Sequence, residues 1–329
     1  MTFRNLMIAA AILLGACAVS PDPEPVMTDW RLVIHGGAGV ITREGMTEAQ
    51  EAAYTEALET ALEAGAAVLR SGGSALDAVE AAVIPMENDP LFNSGYGAVF
   101  TAAGTHELDA SIMDGRYRNA GAVAGVTRVR NPIRAARAVM DRSEHVMFAG
   151  SGADAFAEAQ GLDMVDNSYF DTERRRKALE RVLEERHRTA ADRHGTVGAV
   201  AIDREGNLAA ATTTGGMTAK AAGRIGDSPL IGAATYAENG VCAVSATGHG
   251  EYFIRVGVAK TICDRVKLAG DEIKPAAETA LAEVAALGGD GGVIVIDGEG
   301  EYAFVFNSEG MYRGVIDASG ARTAIYGSD

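Results

Sequence analysis

The chain has little of what several common function classes require. Three cysteines among 329 residues cannot build a disulfide framework, and there is no C-x-x-C pair. The six histidines, His35, His106, His145, His187, His194 and His249, show no metal-ligand spacing, and H-E-x-x-H is absent. A Walker loop and a G-x-S-x-G elbow are also missing. The glycine cluster at 36–39 lacks G-x-G-x-x-G spacing and has no helix immediately behind it, which argues against a dinucleotide site. No organic cofactor is expected. Basic residues number 29 against 45 acidic ones, a net charge of −16 that repels phosphate backbones and excludes nucleic acid as a partner. Aromatics make up only 6% of the chain.

Apolar residues, by contrast, reach 47%, and 40 residues are glycine. This composition suits tightly packed, turn-rich structure with a substantial core. The N-terminus reads separately. Arg4 precedes an apolar run at 6–14, too short to span a bilayer, so residues 1–16 read as a signal peptide. The run ends in Leu14-Gly15-Ala16-Cys17, which resembles a bacterial lipobox and makes Cys17 the expected lipidation site. Residues 17–29 then read as a lipidated tether. The mature protein is expected to be exported, either periplasmic or held at a membrane only through its lipid anchor. Cys242 and Cys263 lie in apolar stretches and read as buried thiols; pairing in an oxidising compartment is left open.

A short apolar strand at 31–35 runs into the glycine turn. Helical spacing over 47–70 and again from Ser74 to about 89 gives two helices, the second capped by Ser74. Residues 97–129 alternate as a β-meander. Helices near 133–142 and 153–160 flank a strand at 145–149. Residues 169–193 are densely charged, with only Leu179, Val182 and Leu183 to bury, so they read as a solvated helix or a loose connector, and 166–195 is expected to be a mobile connector. Strands at 197–202 and 208–213 form a hairpin. A strand at 241–245, helices at 251–268 and 275–287, and a closing hairpin at 292–297 and 302–306 follow. Strands in hairpins with helices between them predict an α+β fold: two stacked, mainly antiparallel sheets covered by helices.

The informative block is His194-Gly195-Thr196-Val197-Gly198, where a charged connector ends at glycine and threonine opens a buried strand. Attack of the Thr196 hydroxyl on the Gly195 carbonyl would form an ester, and its hydrolysis would free an N-terminal threonine. An α-amine, with a reference pKa near ~8, can then accept the hydroxyl proton on the same residue. Thr212-Thr213-Thr214 ends the partner strand. Arg224 and Asp227 lie three apart in a glycine-rich loop, a pairing suited to a carboxylate and an ammonium. Thr247-Gly248-His249-Gly250 ends a strand and opens a helix, where N–H groups can stabilise an oxyanion.

The ordered set HGGAG, PLFNSGYGAVF, ELDASIMDG, GTVGAVAID, TTTGGMTAK, GRIGDSP and TGHGE resembles the plant-type L-asparaginase and isoaspartyl aminopeptidase family of N-terminal nucleophile (Ntn) hydrolases. That resemblance implies a four-layer αββα sandwich with residues 30–195 as the α subunit and 196–329 as the β subunit. It further implies self-cleavage between Gly195 and Thr196, with Thr196 as nucleophile and Thr214 assisting it. Thr247 and the Gly248 N–H would form the oxyanion hole. Arg224 and Asp227 would hold the substrate's α-groups, with the Gly248–Gly250 backbone around it. Asn93 would reach the nucleophile. Main-chain carbonyls of Met86, Glu87, Asp89, Phe92, Ser94 and Tyr96 would wrap a structural sodium ion. The expected substrates are isoaspartyl dipeptides and L-asparagine, and the expected assembly is a homodimer of cleaved protomers. Two alternatives stand beside this reading: a glycosylasparaginase, or an uncleaved lipid-anchored binding protein. Ala219 departs from the asparagine often found after the T-G-G-M-T run.

Overall fold

The computed structural model describes residues 29–184 and 195–327. The signal peptide, Cys17 and all of the tether except Asp29 lie outside the described residues, as do positions 185–194 of the connector.

The chain opens with β1 (Arg31–Gly39), α1 (Glu48–Arg70) and α2 (Ala75–Glu87). Both helix starts are set by side chains. The Thr47 hydroxyl accepts from the Gln50 N–H and Gln50 accepts from the Thr47 N–H, a capping box; Ser74 accepts from the Asp77 N–H at 3.1 Å. Next come β2 (Leu108–Asp114), β3 (Ala120–Val126), α3 (Pro132–Arg142), β4 (Met147–Ala149), α4 (Gly150–Ala159) and α5 (Glu173–Glu184). The second half holds β5 (Thr196–Ile202), β6 (Leu208–Thr214), β7 (Thr235–Glu238), β8 (Cys242–Gly248), α6 (Gly250–Val256), α7 (Val258–Asp264) and α8 (Ile273–Ala286). It closes with β9 (Gly291–Asp297), β10 (Tyr302–Phe306), β11 (Gly310–Asp317) and β12 (Gly320–Tyr326).

An eight-stranded sheet runs β12-β11-β1-β5-β6-β2-β3-β4 and a four-stranded one β10-β9-β8-β7. Every pairing is antiparallel except β3 with β4. Strand periodicity sorts the two cores. Along β5, Val197, Ala199 and Ala201 pack with the α1–α3 side of the large sheet, while Val200 and Ile202 join the core shared with the small sheet, α7 and α8. The order helix, sheet, sheet, helix is the four-layer sandwich of the Ntn-hydrolase fold. Among the described residues, no helix is long and apolar enough to cross a membrane.

Several expectations are corrected. The meander at 97–129 narrows to the β2–β3 hairpin, because a single 3-10 turn at Gly95–Gly97 and the loop after it occupy the first part. The hairpin at 302–306 does not finish the chain: β11 and β12 follow, and β11 pairs with β1. The helix at 251–268 breaks at Gly257, whose φ of 65° ends α6, and its tail is the π turn Arg265–Ala269. The connector is structured through Glu184. Asn167 bonds His106 and Thr127, Phe170 is fully buried, and Leu179 of α5 packs with Phe100 and Ala219. Burying each of these apolar side chains stabilises by about 1.5–3 kcal/mol, which a count of charges overlooks. Cys242 and Cys263 are not separate buried thiols: they form a disulfide with Cα atoms 5.6 Å apart, joining β8 to α7. Ala219 has a left-handed φ of 59°, a conformation that asparagine tolerates better than alanine.

Candidate active site

The β5–β6 hairpin sets Thr196 opposite Thr214, and Thr214 opposite Asp109 of β2, so three polar residues stand in one row across adjacent strands. Thr196 and Thr214 are buried, at 5% and 2% exposure. Their hydrogen bonds have one consistent direction. The Thr196 hydroxyl donates to Thr214 Oγ1 at 3.2 Å, the Gly216 N–H donates to the same oxygen at 3.0 Å, and Thr214 donates to the Gly195 carbonyl at 3.4 Å. Thr214 therefore holds the Thr196 proton while polarising the neighbouring carbonyl. That leaves the Thr196 lone pairs free for attack.

The small sheet contributes the opposing wall. Thr247 Oγ1 on β8 accepts from the Thr196 N–H at 3.4 Å and the Ala38 N–H at 3.3 Å. Two N–H groups engage its lone pairs, so its own proton is left to donate. Gly248 ends β8 with φ 154°, where a Cβ would come within 2.5 Å of the Asp290 carbonyl.

Arg224 and Asp227 lie in the loop between β6 and β7. Glu251, at the start of α6, grips the guanidinium in a fork, 2.9 Å from Nε and 2.8 Å from Nη2. That contact holds the Glu251 carboxyl below its ordinary range. Asp227 is 3% exposed and its Oδ2 has no partner. Burial pushes it up to about 7, against the pull of Arg224. A Cβ on Gly250 would sit 2.8 Å from Asp227 Oδ1 and 3.1 Å from Arg224 Nη2, so glycine keeps these two groups accessible side by side. Asp109 is also fully buried with an unpartnered Oδ2, while its Oδ1 accepts from the Gly125 N–H at 2.8 Å. Burial raises it as well. A fixed guanidinium and a buried carboxyl with an unpartnered oxygen, side by side, suit a zwitterionic ligand.

Asn93 lies beside Gly195, where a Cβ would be 3.1 Å from Asn93 Cβ. Its amide does not bond to Thr196, however. Oδ1 accepts from the Val99 N–H at 3.0 Å, Nδ2 donates to the Gly216 carbonyl at 2.7 Å, and the Asn93 carbonyl accepts from the Gly215 N–H. Asn93 thus ties the 86–96 loop to the turn after Thr214 and supports the site from behind. In that loop, Met86 and Phe92 are buried, and the Glu87 carboxyl accepts from Thr213, the Ile133 N–H and Asn131. Burial pushes Glu87 up to about 7. Ser94 pairs its hydroxyl with Thr213, and Tyr96 packs on Tyr169. The carbonyls of Asp89 and Ser94 accept from the N–H groups of Phe92 and Gly97. A Cβ at Gly95 would fall 2.1 Å from the Glu87 carbonyl oxygen, and one at Gly97 2.0 Å from that of Phe92. Main-chain oxygens therefore crowd this turn. Among the described residues, no group of three or more His, Cys, Asp or Glu side chains is arranged for a metal.

Sequence reasoning missed three residues here. Glu251 carried a signal, an acid in the TGHGE block within reach of a loop arginine. Asp109 in ELDAS and His35 in HGGAG became legible only once strand pairing was known.

A model of the family described as "Asparaginase" matches residues 28–325. The chain is 51% identical over 292 residues to a protein of Escherichia coli (strain K12) named isoaspartyl peptidase, covering 86% of this chain and 91% of that one. It is 44% identical over 291 residues to a plant-type L-asparaginase of Pyrobaculum calidifontis, covering 86% and 95%. It is 42% identical over 284 residues to an isoaspartyl peptidase/L-asparaginase of Mus musculus, covering 85% and 86%. With a family model matching nearly the whole described chain and relatives 44–51% identical over most of it, this protein belongs to the asparaginase family of isoaspartyl peptidases and plant-type L-asparaginases.

Proposed function

We propose that the protein is an isoaspartyl peptidase and L-asparaginase that activates itself by cleaving the Gly195–Thr196 bond. In maturation the Thr196 hydroxyl oxygen attacks the Gly195 carbonyl carbon, the C–N bond breaks, and the Thr196 nitrogen leaves as an amine. Water then hydrolyses the ester, giving a Gly195 carboxylate and a free threonine. In turnover the α-amine of Thr196 takes the hydroxyl proton as the oxygen attacks the β-carbonyl of the substrate. Thr247 and the Gly248 N–H stabilise the oxyanion. The leaving amine takes the proton and departs as ammonia from asparagine or as an amino acid from an isoaspartyl dipeptide. Water hydrolyses the β-aspartyl ester and releases aspartate. Arg224 receives the α-carboxylate and Asp227 the α-ammonium, which explains why both are held at one glycine.

The observation that carries this reading is the directed chain from Thr196 through Thr214 to the Gly195 carbonyl. The test is hydrolysis of β-Asp-Leu, asparagine and a glycosylated asparagine by purified protein. The first two should be turned over; exclusive use of the third would make it a glycosylasparaginase, and a single uncleaved, inactive chain a binding protein. The same reading assigns a sodium ion to the carbonyls of the 86–96 loop, checked by a melting temperature that rises with added sodium but not lithium. It also includes a homodimer of cleaved protomers, checked by sedimentation, and export with lipidation at Cys17, checked by fractionation and palmitate labelling.

A further inference from the structure

We propose that His35 is a positioning residue that locks the nucleophile-bearing strand to the oxyanion strand, through a neutral ring carrying its proton on Nδ1. The inference rests on the reading of Thr196 as nucleophile and Thr247 as oxyanion donor. His35 Nδ1 lies 3.0 Å from the Thr196 carbonyl, and its Nε2 lies 2.9 Å from Ser245 Oγ. Ser245 stands two residues before Thr247 on the same face of β8. The ring therefore bridges the main chain of one reacting residue to the strand of the other, across the gap between the sheets.

The carbonyl decides the tautomer. It can only accept, so Nδ1 carries the hydrogen and Nε2 accepts from Ser245. Every hydroxyl behind is then oriented in turn. Thr212 donates to Ser245 at 2.7 Å, Thr235 to Thr212 at 2.6 Å, and Ser111 to Thr235 at 2.7 Å, with the Ser111 proton shared by the Ser228 carbonyl at 2.6 Å. All five of these side chains, His35, Ser245, Thr212, Thr235 and Ser111, are fully buried, and they come from five strands of the two sheets. Gly198 makes room for the junction: a Cβ there would lie 2.0 Å from Ser245 Oγ and 2.6 Å from His35 Nε2. Burial keeps the ring uncharged, lowering it to about 3. A hydroxyl chain of one direction in a dry interior is stiff, which suits a group that must hold two reacting residues in register.

Two substitutions divide the ring's duties. His35→Asn keeps a donor near the Nδ1 position and loses the Ser245 link; His35→Gln reaches Ser245 and loses the Thr196 bond. Misplacing a nucleophile by about 1 Å costs on the order of 100-fold in rate. His35→Gln should therefore lower kcat for asparagine by about 10- to 100-fold, and His35→Asn by less than about 10-fold. KM should stay within about twofold in both, since the residues assigned to bind the substrate, Arg224, Asp227 and Gly250, lie on other elements. Ser245→Ala, which keeps the ring and its bond to Thr196 and loses only the Nε2 link, should lower kcat by no more than His35→Asn does. A merely structural role predicts equal loss in Asn and Gln variants, or parallel changes in kcat and KM, and either result overturns the proposal. Long-range ¹⁵N–¹H spectra of histidine-labelled wild-type protein give a readout independent of turnover. A neutral His35 protonated at Nδ1 from pH 5 to 9 is expected; an Nε2–H or charged ring overturns the proposal. Wild-type protein without turnover would instead count against the function proposed above, with the spectra still testing His35.

Discussion

Gly250→Ala isolates the binding of the substrate's charged groups from the chemistry at Thr196. Gly250 has no left-handed φ, so its backbone accepts alanine, and it begins α6, where alanine favours the helix. The added methyl carbon meets Asp227 Oδ1 at 2.8 Å, the Asp227 N at 3.0 Å and Arg224 Nη2 at 3.1 Å. Ordinary contacts start near 3.4 Å, so the Asp227 carboxyl and the guanidinium must each yield by a few tenths of an ångström. Their shift removes alignment from one charge-assisted hydrogen bond to the substrate, about 1.5–3 kcal/mol. At 1.36 kcal/mol per factor of ten, KM for asparagine should rise by roughly 10- to 150-fold. Thr196, Thr214 and Thr247 lie on other elements, so kcat and self-cleavage should change by no more than about threefold. Steady-state kinetics on protein with an unchanged melting temperature is the assay. A folded variant with normal KM and depressed kcat would refute the assignment of Arg224 and Asp227 as the substrate's anchors.

Other outcomes follow from the same geometry. Asp227, raised by burial from an ordinary 3.8 to about 7, is neutral below that pH and unable to hold an ammonium. The kcat/KM of wild-type protein should therefore climb between about pH 6 and 8, and a flat profile would contradict this. Thr247→Ala should cut turnover by about 10²–10³-fold while cleavage at Gly195 persists, whereas Thr214→Ala should stall cleavage, since it removes the donor to the Gly195 carbonyl. Gel analysis and kcat measurement separate the two; identical phenotypes would argue against distinct donors. The Cys242–Cys263 bridge closes a span of 21 residues, so Cys242→Ser with Cys263→Ser should lose about 3 kcal/mol in urea unfolding. The doubly substituted protein should also become indifferent to reductant.

The β5–β6 hairpin was legible because two apolar stretches flank the turn 203–207, and a short hairpin fixes register: Thr214 had to return beside Thr196. Local signals also gave α1 and α2, whose caps lie in sequence next to what they cap. Long-range pairing was not legible. Nothing near residue 35 announces that β1 lies between β5 and β11, so the contact of His35 with Thr196 and Ser245 depends on strands more than 150 residues away. Charge density allowed a solvated helix at α5 but hid its docking, for which Leu179 and Val182, three apart, supply a sufficient apolar edge. Asn93 was found in the right neighbourhood with the wrong partners, because a motif gives proximity and not the direction of an amide. The disulfide was left open for a related reason: two cysteines in apolar segments look alike whether or not the fold brings their Cα atoms to 5.6 Å.

The central claim is that Thr196 is both the agent of cleavage and the nucleophile of turnover. Intact-mass analysis of purified wild-type and Thr196→Ala proteins, alongside asparagine hydrolysis, tests it directly. The wild type should yield a fragment beginning at Thr196 with a free amine. Thr196→Ala should remain one chain with no turnover. Normal cleavage and normal hydrolysis by Thr196→Ala protein would contradict the account.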